Sequence, residues 1–257
     1  MLIAVTRPVS PSLAQCELTH LAREPIDLAR AEAQHAAYEA LLTSLGATIV
    51  RAPAAPEHPD AVFIEDVAVV LDEIAVITRP GAPSRRGESE GVAPVLAAHR
   101  RLVAIEPPAT LDGGDVLRLE RSLHVGRSTR TNPEGIEQLQ SLVQPFDYRV
   151  VPIELSGCLH LKSAVTEIAD GLLLLNPAWV SGAAFPEFEF LSIDLREPHA
   201  ANALRVDDTV VYPSQHPRTL EFLARRGLRV ESIDYSEIAK AEGGVTCCSL
   251  LFDAAAA

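Results

Sequence analysis

The sequence has 257 residues, 47% of them apolar and 22% charged, as in an ordinary globular protein whose core is large enough to need no disulfides or metals. Its 35 acidic and 22 basic side chains give a formal net charge of −13, which counts against nucleic acids and anionic membrane surfaces as partners. No apolar run approaches the roughly 20 residues that span a bilayer, and we expect no signal peptide at the N-terminus.

The predicted elements alternate between helices and short strands. After a short N-terminal strand, apolar residues at three- and four-residue spacing predict helices over 27–45, 89–99, 133–143 and 217–226. Each helix is followed by a β-like run, at 47–50, 101–105, 148–153 and 228–233. Pairs of apolar runs around a polar turn predict hairpins at 66–78, 114–126 and 203–213.

The first predicted helix has the clearest pattern. Its apolar residues form one stripe made of Ile26, Leu28, Ala29, Ala33, Ala36, Ala37, Ala40, Leu41 and Leu45. Gly46 follows as a stop signal. The pattern therefore predicts an amphipathic helix at this place in the chain.

The order of hairpin, helix and strand recurs every 50–60 residues or so, near the upper end of the periods that indicate propellers or arrays. A unit of this kind cannot bury its own faces. Several units closed into a ring would bury them and leave a central channel where the hairpin ends converge. The sequence therefore predicts one α/β domain over residues 1–257, with internal repeats.

The cysteines are the first candidates for catalytic residues. Cys16, Cys158 and the adjacent pair Cys247 and Cys248 show no spacing typical of zinc sites, and a reducing, cytoplasmic setting is the simplest account. The pair lies in GGVTCCSL, where two glycines let the backbone approach a ligand, and Cys247 is placed to present a thiolate at the end of a strand. The alternative is that both cysteines are small buried hydrophobes, as free cysteines commonly are.

A cysteine nucleophile needs a partner that donates a proton to the leaving group. His160, in GCLHLKSAV and just before a strand-like run, is the best candidate, although a histidine in an apolar stretch can also be a core residue. Asp112 in LDGGDV, just ahead of a strand, could orient His160 or bind a guanidinium. Asp-Gly-Gly is equally suited to a simple turn.

A second acidic cluster runs from Asp60 to Asp66 in DAVFIEDVAV. Glu65 and Asp66 interrupt an apolar strand, where two carboxylates are costly unless they are paired with a cation, and a planar guanidinium matches them well. Arginines on bent loops could bind a substrate carboxylate; these are Arg85 and Arg86 in RPGAPSRRGE and Arg130 in GRSTRTNPEG. Surface arginines of this kind are also common without any function.

The order of these motifs is more informative than any one of them. The series FIEDVAVV, ITRPGAPSRRGE, LDGGDVL, VGRSTRTN, LHLKS and GGVTCCS resembles the dimethylargininases, a family of enzymes that modify guanidino groups, over nearly the whole chain. The resemblance implies a five-bladed pseudo-symmetric α/β propeller, the pentein fold. It also implies hydrolysis of an N-methylated arginine to citrulline and a methylamine through a covalent cysteine adduct.

The resemblance further assigns roles to single residues. Cys247 matches the nucleophile, His160 the general acid and base, and Asp112 the acidic third member. The positions that match substrate-binding residues are Asp66 and Glu65 for the guanidinium, Arg85 and Arg130 for the carboxylate, Asp60 and the carbonyl of Leu18 for the α-amino group, and Glu242 beside the guanidinium. Leu18 lies in SPSLAQCELTH, residues 10–20, which we name the lid segment because it matches the family's lid.

The expected chemistry uses no metal and no cofactor, and Zn²⁺ bound by a Cys/His pair would inhibit. The expected partner is a small-molecule substrate, a methylated arginine, with the protein a monomer or homodimer that binds neither nucleic acid nor membrane. An arginine deiminase or an amidinotransferase of the same fold remains an alternative. A non-catalytic binding protein is a further alternative from another class.

Overall fold

The computed structural model describes residues 1–254. Fifteen short strands form within them: β1 (Leu2–Thr6), β2 (Thr48–Arg51), β3 (Ala68–Val70), β4 (Ile74–Ile77), β5 (Arg101–Ala104), β6 (Val116–Leu119), β7 (Ser122–Arg127), β8 (Arg149–Glu154), β9 (Val165–Ala169), β10 (Leu172–Leu175), β11 (Glu189–Ser192), β12 (Leu204–Val206), β13 (Thr209–Pro213), β14 (Arg229–Ile233) and β15 (Leu250–Asp253). The helices are α1 (Leu28–Ser44), α2 (Ala93–Ala97), α3 (Pro133–Val143), α4 (Leu161–Ala164), α5 (Pro217–Arg225) and α6 (Ser236–Ala239). None of these helices is long and apolar enough to cross a membrane.

The strands form five three-stranded sheets that repeat one pattern. Their orders are β15-β1-β2, β3-β4-β5, β6-β7-β8, β9-β10-β11 and β12-β13-β14. In every sheet the central strand pairs antiparallel with the first strand named and parallel with the last. The first-named strands, here called inner strands, line a central cavity of about 480 Å³. The fold is therefore the expected five-bladed α/β propeller.

Each parallel pair needs a crossover, and in four sheets a helix provides it. Helices α1, α2, α3 and α5 connect the central strand to the outer strand of their sheets. N-capping side chains explain where two of these helices begin. The Asp27 side chain accepts the Arg30 N–H at the start of α1, and the Asn132 side chain accepts the Gly135 N–H at the start of α3. In the sheet β9-β10-β11 the crossover contains only the 3₁₀ turn Gly182–Ala184.

Most of the predicted elements agree with these bounds. Helix α3 occupies 133–143 as predicted, whereas α2 is shorter than the predicted 89–99 because the 3₁₀ turn Glu88–Gly91 precedes it. The three predicted hairpins are β3–β4, β6–β7 and β12–β13. A fourth hairpin, β9–β10, was not predicted. The antiparallel pairing of β15 with β1 closes the ring and depends on the two ends of the chain.

The apolar stripe predicted for α1 was wrong for its alanines, whereas its leucines and Ile26 pack partly buried on the core. Ala29, Ala33 and Ala36 are exposed, and the buried face is formed by Ala31, Gln34, His35, Tyr38, Glu39 and Leu42. Alanine lies on every side of this helix, so hydrophobicity alone gave no contrast between faces. Polar contacts identify the buried face: the Tyr38 hydroxyl donates to the Val245 carbonyl at 2.8 Å.

Neighbouring sheets share their apolar cores, as a ring of units requires. One cluster joins Val69 and Val76 of the second sheet to Val116 and Val125 of the third, with Leu139 of α3. Four further clusters fill the other interfaces and the space beneath α1. No blade buries its faces alone, so the turns at the blade ends are positioned by their neighbours as well as by their own strands.

Candidate active site

Each inner strand is preceded by a short turn, and side chains from the five turns contact one another. The residues on these turns are Asp66 ahead of β3, Asp112 ahead of β6, His160 ahead of β9, Asn202 ahead of β12 and Cys247 ahead of β15. The pseudo-symmetry of the fold thus brings five positions, spread over 182 residues of sequence (66 to 247), to one end of the propeller. Two expectations change here, because Asp66 and Cys247 lie in turns before strands and not within or after them.

His160 is held between two carboxylates. Its Nε2 lies 3.0 Å from Asp112 Oδ2, and its Nδ1 lies 3.7 Å from Asp66 Oδ1. Burial by itself lowers the pKa of His160, but the charge of Asp66, the hydrogen bond with Asp112 and the charge of Asp115 outweigh it and raise the pKa to about 9. At neutral pH the imidazole is therefore a buried cation that carries a transferable proton.

Asp66 stays ionised although it is buried. Burial raises its pKa, but His160, Arg85 and the Gly114 N–H outweigh that effect and lower the pKa to about 2. Arg85 Nη1 donates to Asp66 Oδ2 at 2.5 Å, and the Gly114 N–H donates to Asp66 Oδ1 at 3.0 Å. An anionic group at this point suits a cationic substrate.

The expected role of Arg85 changes with this contact. Its guanidinium is buried, donates to Asp66 and Glu88, and also donates to the carbonyls of Asp60 and Phe63. Most of its donors are thus committed inside the protein because four acceptors surround it. Arg85 lines the pocket as the partner of Asp66, with most of its donors engaged by protein acceptors.

The glycines of LDGGDV are required by close approach. A Cβ on Gly114 would lie 2.6 Å from both Asp66 Oδ1 and His160 Nδ1, and one on Gly113 would lie 2.0 Å from the Glu65 carbonyl. Any side chain at Gly114 would push apart the contact between Asp66 and His160. The segment is therefore more than a simple turn, which was the alternative that the sequence left open.

Cys247 is half-buried and lines the same pocket as His160 and Asp66, whereas Cys248 is fully buried. The Gly244 N–H donates to Cys247 Sγ at 3.3 Å. Burial and the charges of Glu65 and Asp66 raise the pKa of the Cys247 thiol well above its usual value. A bound cation would offset those charges and favour the thiolate.

Glu65 faces away from this pocket, which corrects its assignment as a guanidinium ligand. Its Oε1 is 2.5 Å from Lys162 Nζ, and its Oε2 accepts the Thr246 hydroxyl at 2.8 Å. Glu65 and Lys162 line the central cavity on the opposite side. The two neighbouring side chains thus point to different sides of the turn, Asp66 into the pocket and Glu65 into the central cavity.

Sequence reasoning missed Asn202, the fifth turn residue. Its Oδ1 accepts the Thr246 N–H at 3.1 Å, and its Nδ2 donates to the Thr246 hydroxyl and the Lys162 carbonyl, each at 2.9 Å. Asn202 therefore ties the turn of Cys247 to the turn of His160. The repeat itself held the signal, since Asn202 lies just ahead of a predicted hairpin, as Asp112 does.

Asp115 was also missed, although LDGGDV contains it. Its carboxylate accepts the Leu161 N–H at 3.0 Å and the hydroxyls of Ser128 and Thr131. Burial raises the pKa of Asp115 to about 6. It fixes the turn that carries His160 without lining the pocket.

The lid segment covers the other end of the pocket. Asp60 accepts the Glu17 N–H at 3.1 Å, and Arg130 Nη2 donates to the Thr19 hydroxyl at 3.2 Å. Asp60, Arg130 and Glu17 line the pocket. Burial raises the pKa of Asp60 to about 6. Leu18 itself packs on the apolar cluster beneath α1.

Glu242 is placed differently from the expectation that it binds the guanidinium. Its carboxylate accepts backbone N–H groups of Thr19, His20 and Leu21. Those three donors occupy both oxygens because the lid crosses directly over this side chain. Glu242 lines the pocket, but its carboxylate oxygens contact the backbone amides of residues 19–21.

The pocket between these two ends is small, at about 20 Å³. Oxygen atoms of Asp66 and Asp112 and a nitrogen of His160 lie within 4.8 Å of one another, close enough to hold a cation. The imidazolium of His160 is already the positive centre of that group. A half-buried thiol, a charged imidazole and an ionised carboxylate can together perform nucleophilic displacement at a cationic carbon.

The propeller and this site define a cysteine-dependent enzyme that acts on guanidino groups. No protein-family model matches the chain. It is 38% identical over 250 residues to the N(G),N(G)-dimethylarginine dimethylaminohydrolase of Streptomyces coelicolor, with 96% of this chain and 95% of the relative covered. The chain belongs to the dimethylarginine dimethylaminohydrolase family.

Two solved structures resemble it closely. A cysteine-to-serine mutant of DDAH from Pseudomonas aeruginosa, complexed with citrulline, has a TM-score of 0.93 at 34% identity and covers 97% of this chain and 98% of its own. A dimethylarginine dimethylaminohydrolase variant with histidine replaced by glycine, as an adduct with S-methyl-L-thiocitrulline, has a TM-score of 0.92 at 34% identity, with 98% and 100% covered.

Proposed function

We propose that this enzyme hydrolyses Nω-methylated arginine to citrulline and a methylamine, with Cys247, His160 and Asp112 as its catalytic residues. The observation that carries the proposal is the cluster of Cys247, His160 and Asp66 in one pocket, with Asp112 bound to the imidazole. The family relationship and the citrulline bound to a relative support the same reaction.

Substrate binding prepares the nucleophile. Asp66 pairs with the guanidinium and keeps it protonated, so that its carbon stays electrophilic. The same positive charge offsets the carboxylates that raise the pKa of Cys247, and the thiol ionises. At the other end, Arg130 receives the substrate carboxylate, and Asp60 with the backbone of Leu18 receives the α-amino group.

The displacement then proceeds in two steps. Cys247 Sγ forms a bond to the guanidinium carbon while His160 gives its proton to the departing methylamine as the C–N bond breaks. The covalent product is an S-alkylthiouronium. Neutral His160 next takes a proton from a water molecule, which attacks the same carbon. The C–S bond then breaks as the hydroxyl proton is lost to solvent, which releases citrulline and the thiolate. Asp112 keeps the imidazole oriented throughout.

A panel of substrates tests the reaction. Citrulline formation is measured with asymmetric dimethylarginine, monomethylarginine and arginine under the same conditions, and released dimethylamine is quantified in parallel. We expect citrulline and amine in equal amounts from the methylated substrates and far less citrulline from arginine. Citrulline mainly from arginine would identify a deiminase, and none from any substrate would contradict hydrolysis.

The remaining expectations concern the whole molecule. We propose one catalytic domain over residues 1–257 that acts as a monomer or homodimer and needs only its small-molecule substrate as partner. Four free cysteines fit a reducing compartment, so we propose the cytoplasm as its location. Light scattering that gives a larger assembly would contradict the first expectation, and recovery outside the cytosolic fraction would contradict the second.

A further inference from the structure

The stretch from Glu17 to Leu21 contains no helix or strand, yet three of its consecutive backbone amides share one acceptor group. Glu242 Oε2 accepts the Thr19 N–H at 3.0 Å, and Glu242 Oε1 accepts the N–H groups of His20 and Leu21 at 2.5 Å each. These hydrogen bonds cross 221 to 223 residues of sequence. Hydrogen bonds to an ionised acceptor are roughly twice as strong as neutral ones.

The backbone conformation of Glu242 disfavours any residue other than glycine, which indicates that the carboxylate itself is needed at this position. Its φ is 60°, in the left-handed region, where a residue with a Cβ is strained and glycine is not. Gly243 and Gly244 follow directly. Glycine at position 242 would suit this backbone better, so the strain is offset by what the carboxylate contacts.

Glu242 also lies at a boundary between two cavities. On one side it lines the pocket that holds Cys247 and Arg130. On the other side it lines a cavity of about 280 Å³, to which His20 of the lid segment and the adjacent Leu21 also contribute. If the amides of residues 19–21 were released, this stretch would move away from the boundary between the two cavities.

We propose that Glu242 is a positioning residue that holds the lid segment closed over the substrate, by accepting the amides of Thr19 and His20 at its C-terminal end and of Leu21 directly after it. It acts on the substrate's amino-acid end through the lid and takes no part in the displacement at the guanidinium carbon. Its loss therefore weakens substrate binding and leaves the chemical step largely intact. The kinetic part rests on the proposed function, whereas the structural part does not.

Two other contacts would limit the opening of the lid to residues 19–21 when the Glu242 carboxylate is removed. Asp60 holds the Glu17 N–H, and Arg130 holds the Thr19 hydroxyl. Neither depends on Glu242, so the lid remains attached at Glu17 when the carboxylate is removed. The amides at 19–21 are expected to open while the amide at 17 stays protected.

Hydrogen–deuterium exchange of the substrate-free protein tests the structural part. Glu242→Gly removes the carboxylate and suits the left-handed backbone, and Glu242→Gln keeps one acceptor oxygen. We expect the amides of residues 19–21 to exchange roughly 10-fold faster or more in Glu242→Gly, with a smaller increase in Glu242→Gln. Glu24→Gln, the same change at an exposed carboxylate beyond the lid segment, should leave exchange unchanged. Unchanged exchange in Glu242→Gly would overturn the proposal.

Kinetics test the consequence for binding. We expect KM for methylated arginine to rise roughly 10-fold in Glu242→Gly while kcat stays within about 3-fold of wild type. A fall in kcat with unchanged KM would overturn the positioning role, as would faster exchange without any change in KM. If the wild-type enzyme fails to act on methylated arginine, the proposed function fails, and the exchange experiment still decides whether Glu242 holds the lid.

Discussion

The two ends of the active site are built by different means. At the reacting end, Asp66, Asp112, His160 and Cys247 lie on turns that immediately precede strands of the propeller, and their partners are buried side chains. At the lid end, an irregular segment is held by carboxylates that accept its backbone amides. The first arrangement fixes side-chain geometry, and the second fixes the course of a loop.

This difference separates chemistry from binding. Neighbouring charges and hydrogen bonds outweigh the effect of burial, raising the pKa of His160 and lowering that of Asp66, and both shifts require a rigid environment. Backbone amides held by Asp60 and Glu242 can be released without disturbing those charges. Changes at the reacting end should therefore act on kcat, and changes at the lid end on KM.

The largest expected effect comes from Cys247→Ser. A hydroxyl is a far weaker nucleophile at neutral pH than a thiolate, so kcat should fall by roughly 10⁴-fold or more while substrate binding, measured by calorimetry, stays near that of wild type. Cys248→Ala is the matched control at the neighbouring buried cysteine, and it should retain activity. Substantial turnover by Cys247→Ser would show that the nucleophile is misassigned. So would a loss of activity in Cys248→Ala while Cys247→Ser stays active.

A smaller effect with a distinct signature is expected from Asp112→Asn. The hydrogen-bonded carboxylate helps to raise the pKa of His160 to about 9, so its neutralisation should move that titration towards 6.5. A raised histidine pKa contributes stability that is fully present below about pH 6.5 and is lost as the pH rises through 9. We therefore expect the unfolding free energies of wild type and variant to converge over that range, and kcat to fall roughly 10²-fold.

Two measurements check this prediction. Nuclear magnetic resonance titration of the His160 ring gives its pKa directly in the free enzyme, and chemical unfolding at several pH values gives the stability difference. Ser122→Ala, on β7 away from the pocket, serves as a control for both. An unchanged His160 titration in Asp112→Asn would mean that the other charges alone determine the pKa.

The smallest effect is expected at the lid end, from Arg130→Met. The substitution keeps much of the volume and removes the cation that contacts the Thr19 hydroxyl and lies 4.0 Å from Asp112. KM should rise roughly 10-fold, which is about 1.4 kcal/mol of binding free energy, with kcat within a few-fold of wild type. Arg127→Met, at an exposed arginine paired with Glu154, is the control. A loss confined to kcat would remove the distinction between the two ends.

Much of the fold could be predicted from local sequence patterns. The bounds of helix α3 agree with the prediction because its apolar and polar positions contrast clearly, and in the structure Asn132 and Pro133 begin it. Helix α1 was found in nearly the right place but with the wrong face, since its alanines carry no such contrast. The hairpin β9–β10 was missed, and its sheet alone lacks an α-helix in the crossover among the residues described.

In the site, too, some residues could be predicted from local sequence patterns and others could not. Cys247, His160, Asp112 and Asp66 could be named because each stands out from an apolar or glycine-rich setting, and the resemblance placed them together. Asn202 does not stand out, since a lone asparagine before a strand is ordinary. Only the repeat, which places one turn before every inner strand, shows it to be equivalent to the others.

The sequence determined the kind of chemistry through the order of its motifs, which resembles a known family, because each motif alone was equally compatible with a core residue or a turn. Tertiary structure decided the direction in which each charge faces. Glu65 faces Lys162, Arg85 faces Asp66 and Glu242 faces the lid, although all three had been expected to contact the substrate. Charged groups find their partners across the ring, 19 to 223 residues away in sequence, and no local pattern records those pairings.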